Sequence, residues 1–345
     1  MIFLKFLSAD NLWSIICKSE FSKVLANFWI IILFGSGLGS CIQEKPRQWL
    51  ISEPVLEARP AGSFDEIAVK DPSLVYYDGL WHLFYTARSK EEYTTGYIAA
   101  GQLKDLQTAH RHELEMVRGK SRYGCAPQVF YFEPQRRWYL FFQTRDANYQ
   151  PAFTTTSNLA DPESWSEAQT LLPKDAASKW IDFWVVADDK QVYLFYTQSH
   201  DSVMFRSTPL HQFPIGWNKA KLALSGVHEA VHVYKAKDQP RYDLIYELNH
   251  DGVRSFGLAT ATDLAGPWHK VSDRYATASQ LQFRAGGDEW THMVSHGEAI
   301  RTGYDQNLEY DADYARWLIQ GIPDQELEKE YVDLTWKLGI IELKD

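Results

Sequence analysis

The chain consists mainly of short apolar and aromatic runs separated by polar turns, and long amphipathic helical patterns are scarce. The stretch VKDPSLVYYDGLWHLFYTAR, residues 69–88, shows the basic unit. Its apolar runs 74–77 and 81–86 flank Asp78-Gly79, and Asp-Gly between two such runs is a strong signal of a two-residue β-hairpin turn. The pattern therefore predicts strand–turn–strand units.

This hairpin pattern recurs along the chain. Five segments contain an apolar strand, a polar turn and an apolar-aromatic strand: residues 73–86, 127–144, 183–198, 230–248 and, more weakly, 298–321. Several continue into a third strand and a polar segment that ends near Trp, as in FGLATATDLAGPWHK at 256–270. A repeat of about 50 residues with four strands per unit is typical of a β-propeller. We expect an all-β, five-bladed β-propeller over residues 65–322, and the alternative is a β-sandwich whose hairpins are similar by accident.

The residues that open the inner strands of the five predicted blades are mostly polar. They are Asp71, Cys125, Asp182, Glu229 and His296. An Asp before Pro, as at Asp71, is commonly a turn or cap residue, but turn chemistry does not explain three acids that open inner strands in separate blades. Glycoside hydrolysis does require such acids: one protonates the leaving oxygen and another activates a water molecule. A third carboxylate is expected to raise the pKa of the acid by repulsion.

The segments around these positions resemble glycoside hydrolase family 62, a family of secreted α-L-arabinofuranosidases related to family 43. The most specific pieces are APQVFYFEPQRRWYL at 126–140, EAVHVY at 229–234, TATDLAGPW at 260–268, SHGEAIRTGYDQ at 295–306 and LIQG at 318–321. Their order and spacing carry the resemblance over most of the chain. It implies a five-bladed propeller that removes single arabinofuranose branches from arabinoxylan with inversion of configuration.

The resemblance also implies roles for individual residues. Asp71 would be the general base and Glu229 the general acid. Asp182 would tune the pKa of the acid and orient the sugar. This assignment makes the chain a glycosidase whose chemistry is performed by carboxylates alone.

The substrate-binding residues implied by the resemblance are Lys70, Arg254 and Gln320. Two positions depart from the family pattern. Thr144 stands where the family has Trp after the blade-two Tyr-Gln, and Ile319 stands where it has Tyr before Gln-Gly. Because both family aromatics lie around the sugar, the identity of the glycan is open even where the reaction class holds.

A metal ion is the one cofactor that the resemblance implies, since family members place a His like His296 beside Ca²⁺ in the channel. Ca²⁺ takes oxygen ligands, so one His with water would form a weak site that orients the pocket. The alternative is that His296 hydrogen-bonds to a carboxylate. His228, His250 and His292 show no metal-ligand spacing, Cys125 is expected to be a small apolar filler, and no organic cofactor is expected.

Composition limits the partners. The chain has 35 Lys and Arg against 45 Asp and Glu, a formal net charge of −10, which disfavours a polyanion such as nucleic acid. Its 13 Trp, 19 Tyr and 18 Phe suit both β-structure and platforms for sugar rings. We expect a monomer that acts on a polysaccharide of the arabinoxylan type.

The N-terminus has the features of an export signal. Residues 24–34 form an apolar run that follows Lys18 and Lys23, and it is shorter than the roughly 20 residues that span a bilayer. The small-residue segment 35–41 ends in Leu-Gly-Ser-Cys, which resembles the bacterial lipobox and predicts a lipid anchor on Cys41. An ordinary cleaved signal is the alternative. In either case, the protein is expected to be exported to the cell surface, to the outer membrane or into the medium.

The predicted organisation is therefore a signal segment at 1–41, a linker or closing segment at 42–64, the catalytic propeller, and a C-terminal segment at 323–345 that packs on it. Two rival functions remain. One is a xylosidase or arabinanase of the family 43 type on the same fold. The other is a surface lipoprotein that binds glycans without catalysis, a role that would not require three acids in one pocket.

Overall fold

Strands dominate the computed structural model, which describes residues 47–118, 123–145, 149–175 and 177–344. They form five sheets in a propeller arrangement, which confirms the predicted all-β, five-bladed fold. The predicted signal segment and the lipidation site Cys41 lie outside the described residues.

The first three blades each contain four antiparallel strands in chain order. Blade 1 has Ala68–Tyr77, Leu80–Arg88, Tyr93–Ala100 and Arg111–Glu113; blade 2 has Cys125–Phe132, Arg137–Thr144, Gln150–Thr156 and Gln169–Thr170; blade 3 has Trp180–Ala187, Gln191–Gln198, Ser202–Pro209 and Lys221–Ser225. Blade 4 follows the same order with Glu229–Ala236, Tyr242–His250, Val253–Ala261 and His269–Ala276, and Glu309–Tyr310 pairs in parallel with its inner strand.

Blade 5 is assembled from both ends of the propeller. Its strands, from the channel outwards, are Ser295–Ala299, Arg316–Gly321, Lys337–Leu343, Trp49–Ile51 and Leu281–Phe283. The N-terminal strand pairs antiparallel with the C-terminal one, and the buried indole of Trp49 donates a hydrogen bond to the carbonyl of Tyr275 at 3.1 Å. The propeller therefore extends beyond the predicted limits 65–322, because the segments 42–64 and 323–345 both supply strands of this blade.

Helices are short in the described residues. The α-helix is Glu115–Arg118, and the 3₁₀ helices are Leu103–Asp105, Glu133–Gln135, Ala278–Gln280, Asp324–Glu326 and Tyr331–Asp333. None of these described helices has the length and apolar character needed to cross a membrane.

The core lies between neighbouring blades, where apolar faces of adjacent sheets pack together. One large buried cluster runs from blade 2 to blade 5 and includes Phe141, Trp184 and Trp317. Smaller clusters lie between blades 5 and 1 and between blades 1 and 2. This packing holds the five inner strands around one channel.

A β-bulge interrupts every inner strand near its start. The bulges fall between Lys70 and Ser73, Cys125 and Gln128, Ile181 and Trp184, Glu229 and His232, and Ser295 and Gly297. In four blades the bulge contains a non-glycine residue with positive φ: Asp71 at 47°, Ala126 at 50°, Asp182 at 56° and Ala230 at 53°. This conformation is uncommon for such residues, and a bulge redirects the side chains beside it.

The register of the bulges corrects one prediction from the sequence. Asp71 and Asp182 occupy the same bulge position, but Glu229 occupies the position before it, equivalent to Lys70 and Cys125. The three acids are therefore not at equivalent positions. They point into the same space because the bulge turns consecutive residues of each strand towards the channel.

Each bulge is held by a hydrogen bond from its backbone N–H to a side chain of the preceding blade. The five pairs are Asp71 with Gln320 at 2.7 Å, Ala126 with Thr86 at 2.8 Å, Asp182 with Gln143 at 3.2 Å, Ala230 with Asp182 at 2.9 Å, and His296 with Glu247 at 3.0 Å. Four of the acceptors stand at one equivalent position of the second strand. The exception is the junction of blades 3 and 4, where that position is Thr197 and the acceptor is Asp182 instead.

Candidate active site

The bulges border one cavity of about 160 Å³ at the end of the channel where the inner strands begin. All five blades contribute inner-strand residues to its wall: the predicted site residues Lys70, Asp71, Asp182, Glu229 and His296, and the predicted filler Cys125. The repeat thus brings together side chains that are far apart in the sequence, as the propeller pattern predicted.

Asp71 lies between two basic groups at the edge of blade 1. Its Oδ1 is 3.3 Å from Nδ1 of His296, and its Oδ2 is 3.7 Å from Nζ of Lys70. Burial alone would lower the pKa of Lys70, but the Asp71 carboxylate and the Tyr331 hydroxyl, which accepts a hydrogen bond from Nζ at 2.7 Å, outweigh it and raise that pKa. Lys70 therefore keeps its positive charge beside the predicted base.

Glu229 has a different set of partners. Its Oε1 accepts a hydrogen bond from the guanidinium of Arg254, which also contacts Glu247. Its Oε2 is 3.3 Å from Nδ1 of His200 and 3.7 Å from Nε2 of His228. Burial acts to raise the pKa of Glu229, but the hydrogen bond from His200 and the charge of Arg254 outweigh it, so the pKa is lowered.

Asp182 is the carboxyl group whose pKa rises. Burial is the largest cause, the negative charges of Glu229 and Asp71 add to it, and His296 opposes it, which places the pKa at about 6. The hydrogen bond from His200 and the charge of Arg254 therefore outweigh the repulsion expected from a third carboxylate, and the net pKa of Glu229 falls. The positively charged groups lie around Glu229, whereas the desolvation of Asp182 on burial is not fully offset and raises its pKa.

Two predicted substrate-binding residues do not line the cavity. The amide of the buried Gln320 accepts the Asp71 N–H and donates to Oγ of Ser295 at 3.1 Å, so it positions the backbone of the predicted base. Arg254 contacts the carboxylates of Glu229 and Glu247, and its guanidinium lies 5.9 Å from the ring centre of Tyr331 in the cavity wall. Thr144 and the fully buried Ile319 also stand outside the cavity wall, so the residues at the two departures from the family pattern do not themselves contact this space.

Cys125 behaves as the sequence predicted. The thiol is buried in the cavity wall, and burial, with a smaller effect of Asp71, raises its pKa to about 12. The thiolate is the nucleophilic form of cysteine. Cys125 therefore stays protonated and fills space.

A family model described as "Glycosyl hydrolase family 62" matches residues 50–342. The chain belongs to glycosyl hydrolase family 62. The matched region covers the whole propeller, including the parts of blade 5 that lie outside the predicted limits.

The chain is also similar to proteins named as α-L-arabinofuranosidases. Alpha-L-arabinofuranosidase C of Cellvibrio japonicus (strain Ueda107) is 31% identical over 320 residues, which are 88% of this chain and 48% of that protein, so the chain spans about half the length of this relative. The catalytic domain of a family 62 α-L-arabinofuranosidase from Coprinopsis cinerea has a TM-score of 0.80 at 31% identity, with 87% of this chain and 98% of that one covered. An α-L-arabinofuranosidase from Podospora anserina, solved with cellotriose, has a TM-score of 0.79 at 29% identity, with 87% and 98% covered.

This family 62 chain surrounds its carboxylates with tyrosines that the sequence did not single out. Tyr93, Tyr123, Tyr149 and Tyr331 line the cavity, and Nζ of Lys70 lies 4.9 Å from the ring centre of Tyr331. The aromatic content suited platforms for sugar rings, but the sequence did not indicate which rings would form them. These four lie near strand ends or in connecting segments, and only the assembled ring shows that they converge. Tyrosine rings offer flat apolar faces with a polar edge, which suits a sugar.

The sequence also gave no indication of Glu247 and His200, although His200 contacts the predicted acid Glu229 and Glu247 contacts Arg254 and His296. Glu247 is buried in the second strand of blade 4, where it accepts hydrogen bonds from Ser295 Oγ at 2.6 Å and from the His296 N–H. His200 lies in a turn of blade 3. A polar residue inside an otherwise apolar strand was the available signal for Glu247.

His296 makes the carboxylate contact that was the alternative to a Ca²⁺ site. Its Nδ1 lies against the Asp71 carboxylate, and its Nε2 is 3.3 Å from Nε2 of the buried His232. Ca²⁺ takes six to eight oxygen ligands, so a site built on one His would have to be completed by water. The Ca²⁺ site that the family resemblance implies stays a prediction.

Proposed function

We propose that the chain is an inverting α-L-arabinofuranosidase that releases arabinofuranose side chains from an arabinoxylan-type polysaccharide. The observation that carries the proposal is that Asp71 and Glu229 face one cavity with different partners. Asp71 is paired with Lys70 and His296, and Glu229 with Arg254 and His200. Membership of family 62 supports it, as do relatives that are themselves named α-L-arabinofuranosidases.

Asp71 is the proposed general base. Its side chain faces the cavity, where it can accept a proton from water. Water activated in this way attacks the anomeric carbon, the bond to the leaving oxygen breaks, and configuration inverts. The Gln320 amide holds the Asp71 backbone, so the base has a defined position in the strained bulge.

Glu229 is the proposed general acid, and Arg254 must release it for that role. The guanidinium contacts both Glu229 and Glu247, so a small shift towards Glu247 removes one of the two main causes that lower the pKa of Glu229, the other being the hydrogen bond from His200. Repulsion from Asp182 then favours the protonated acid. Glu247 thereby acts as the second anchor for the cation, and Glu229 donates its proton to the leaving oxygen.

The substrate is proposed to enter as a single terminal pentofuranose. A cavity of about 160 Å³ with four tyrosines in its wall suits one sugar ring, and the polysaccharide backbone lies outside it. The tyrosines compensate for the family aromatics replaced at Thr144 and Ile319. Tyr331, which is 46% exposed, is the ring best placed to contact the remainder of the glycan.

Proton NMR of the first-formed sugar is the direct test, combined with a panel of arabinoxylan, arabinan, aryl arabinofuranoside and aryl xyloside. We expect arabinose as the product, with inverted configuration. Asp71→Asn and Glu229→Gln should each lower kcat by about 10²–10⁴-fold. Release of xylose would support the family 43-type rival, and binding without turnover would support the glycan-binding rival. Retained configuration, or wild-type turnover in either variant, contradicts the mechanism.

Export and anchoring form a separate part of the proposal. The apolar run 24–34 and the Leu-Gly-Ser-Cys segment ending at Cys41 support a lipid-anchored protein at the cell surface. Expression with its leader, followed by membrane fractionation and mass spectrometry, should find a lipidated Cys41 at the N-terminus. Cys41→Ser should move the protein to the soluble fraction. A monomer is proposed for the released propeller, and light scattering after gel filtration measures it.

A further inference from the structure

Two histidines meet the predicted acid at the rim of the cavity. His200 lies in the turn after the second strand of blade 3, and His228 directly precedes Glu229 at the start of blade 4. Their rings are stacked with centroids 4.9 Å apart and an angle of 26°. Nδ1 of His200, Nε2 of His228 and Oε2 of Glu229 all lie within 4.8 Å of one another.

These separations suit a tetrahedral metal centre. Zn²⁺ binds His nitrogen and carboxylate oxygen at about 2.0–2.2 Å, so ligand atoms at the corners of a tetrahedron lie about 3.3–3.6 Å apart. The observed separations from Glu229 Oε2 are 3.3 Å to His200 and 3.7 Å to His228. Two imidazoles and one carboxylate are also a donor set that transition metals prefer over Ca²⁺ or Mg²⁺.

One carboxylate oxygen of Glu229 is oriented towards the histidines and could bind a metal ion. Arg254 occupies Oε1 of Glu229, and Oε2 faces the histidines. The same guanidinium is shared with Glu247, so one cation is balanced by two carboxylates and does not leave the cluster positive. Nε2 of His228 also lies 3.4 Å from Nδ2 of Asn249. Metal binding would replace that long contact and the contact between His200 and Glu229.

The backbone presents His200 to this position. Ser199 and His200 both have positive φ, 58° and 50°, which non-glycine residues adopt at an energetic cost. The His200 side chain is 52% exposed, which provides entry for an ion from solvent and room for water as a fourth ligand. His228 is held more firmly, because its N–H donates to the Glu247 carbonyl at 2.7 Å.

We propose that His200, His228 and Glu229 form an inhibitory site for Zn²⁺ or a similar transition-metal cation. A carboxylate oxygen that binds the metal cannot carry the proton for the leaving group, so occupancy blocks the acid. The inhibitory part rests on the proposed function, whereas metal binding itself does not. The histidines come from different blades, which explains why their spacing in the sequence gave no sign of the site.

The binding test uses the purified protein after treatment with chelator and buffer exchange, titrated with ZnCl₂ by isothermal titration calorimetry, with CaCl₂ and MgCl₂ as hard-cation controls. We expect one Zn²⁺ per chain. His200→Gln and His228→Gln should each weaken it at least about 10-fold. His292→Gln is the matched control, because His292 is another exposed histidine beside carboxylates, Glu289 and Asp324, but it has no second imidazole. Wild-type affinity in either cluster variant, or loss of binding in the control, overturns the site.

Inhibition is measured on an aryl arabinofuranoside as the ratio of rates with and without Zn²⁺ for each variant. Wild type and His292→Gln should lose at least about 10-fold in rate at saturating metal, whereas His200→Gln and His228→Gln should keep most of the activity each has without metal. Stoichiometric binding at the cluster without inhibition overturns the inhibitory role. A protein that binds Zn²⁺ as expected but has no glycosidase activity without metal contradicts the proposed function and leaves the metal site standing.

Discussion

The junction between blades 1 and 2 and the junction between blades 3 and 4 hold the same backbone group in different ways. At the first, the hydroxyl of Thr86 accepts the Ala126 N–H, and both residues are buried and neutral. At the second, the equivalent hydroxyl of Thr197 has no hydrogen-bond partner among the described residues. The carboxylate of Asp182 accepts the N–H of Ala230 in its place.

The difference shows that Asp182 both holds the backbone of the next blade and places a carboxylate in the cavity. Ala230 directly follows Glu229, so the carboxylate that faces the cavity also holds the backbone beside the proposed acid. At the neutral junction a hydrogen bond does structural work alone. At the charged junction the acceptor is Asp182, whose pKa is raised. A change in its protonation therefore alters both the hydrogen bond that positions the backbone and the charge beside Glu229. Separate variants can distinguish the two contributions.

The largest expected effect is on catalysis. Asp182→Asn keeps an oxygen that can accept the Ala230 N–H but removes the negative charge beside Glu229. We expect kcat to fall by about 10²-fold or more, because proton transfer depends on the protonation state of the acid. Steady-state kinetics on an aryl arabinofuranoside, with the melting temperature as a check on folding, measures this. Wild-type turnover in a folded Asp182→Asn would show that the charge is not needed.

The neutral junction should show the opposite behaviour. Thr86→Val leaves the buried N–H of Ala126 without its acceptor, and the free energy of unfolding should fall by about 1–3 kcal/mol. Activity should stay within about 2-fold, since no acid depends on this bulge. Urea denaturation and kinetics on the same preparations measure both, and Thr86→Ser, which restores the acceptor, is the control. A large activity loss without a stability loss would remove the distinction between the junctions.

The stability of the charged junction should depend on pH. The pKa of Asp182 is raised in the folded protein to about 6, above its ordinary value of 3.8. A raised carboxyl pKa favours the folded state fully below about pH 4, and this contribution is lost as pH rises through about 6. Asp182→Asn should therefore gain stability relative to wild type as pH rises from 4 to 7, on the order of 3 kcal/mol. Equal pH dependence of the two proteins in urea denaturation would contradict the raised pKa.

The smallest effect is expected at Thr197, the position whose hydroxyl does not hold a bulge. Thr197→Val removes a buried hydroxyl that has no partner among the described residues and keeps the shape of the side chain. The free energy of unfolding should be unchanged or rise by up to about 1 kcal/mol. Differential scanning calorimetry is sufficient to measure it. A loss of more than about 1 kcal/mol would mean that the hydroxyl does make a stabilising contact.

Local patterns predicted the fold well where the relevant chemistry is local. The Asp78-Gly79 hairpin joins Ala68–Tyr77 to Leu80–Arg88, and both turn residues have positive φ as such a turn requires. The strand Trp49–Ile51 could not be predicted in this way. Three residues carry no periodicity, and the strand forms between two distant partners, Lys337–Leu343 and Leu281–Phe283.

The candidate site could likewise be predicted only where local sequence patterns determine it. The repeat predicted that Asp71, Asp182 and Glu229 converge, because residues that open inner strands meet at the channel. It did not give the bulge register, which places Glu229 one position earlier, nor the cations that select which carboxyl is protonated. Arg254 and His200 reach Glu229 from other strands, and a pKa depends on those distances rather than on residue types.

The shared construction of blade 5 has a consequence for the order in which the protein forms. As the chain leaves the ribosome, Trp49–Ile51 is made before the rest of the propeller, yet its partner Lys337–Leu343 is made last. Blades 1 to 4 can pair their own strands during synthesis, since domains generally begin to fold from the N-terminal side. The indole of Trp49 is therefore not fully covered until Lys337–Leu343 has been made. The ring of blades, and with it the cavity that all five share, is complete only after the last strand has been released.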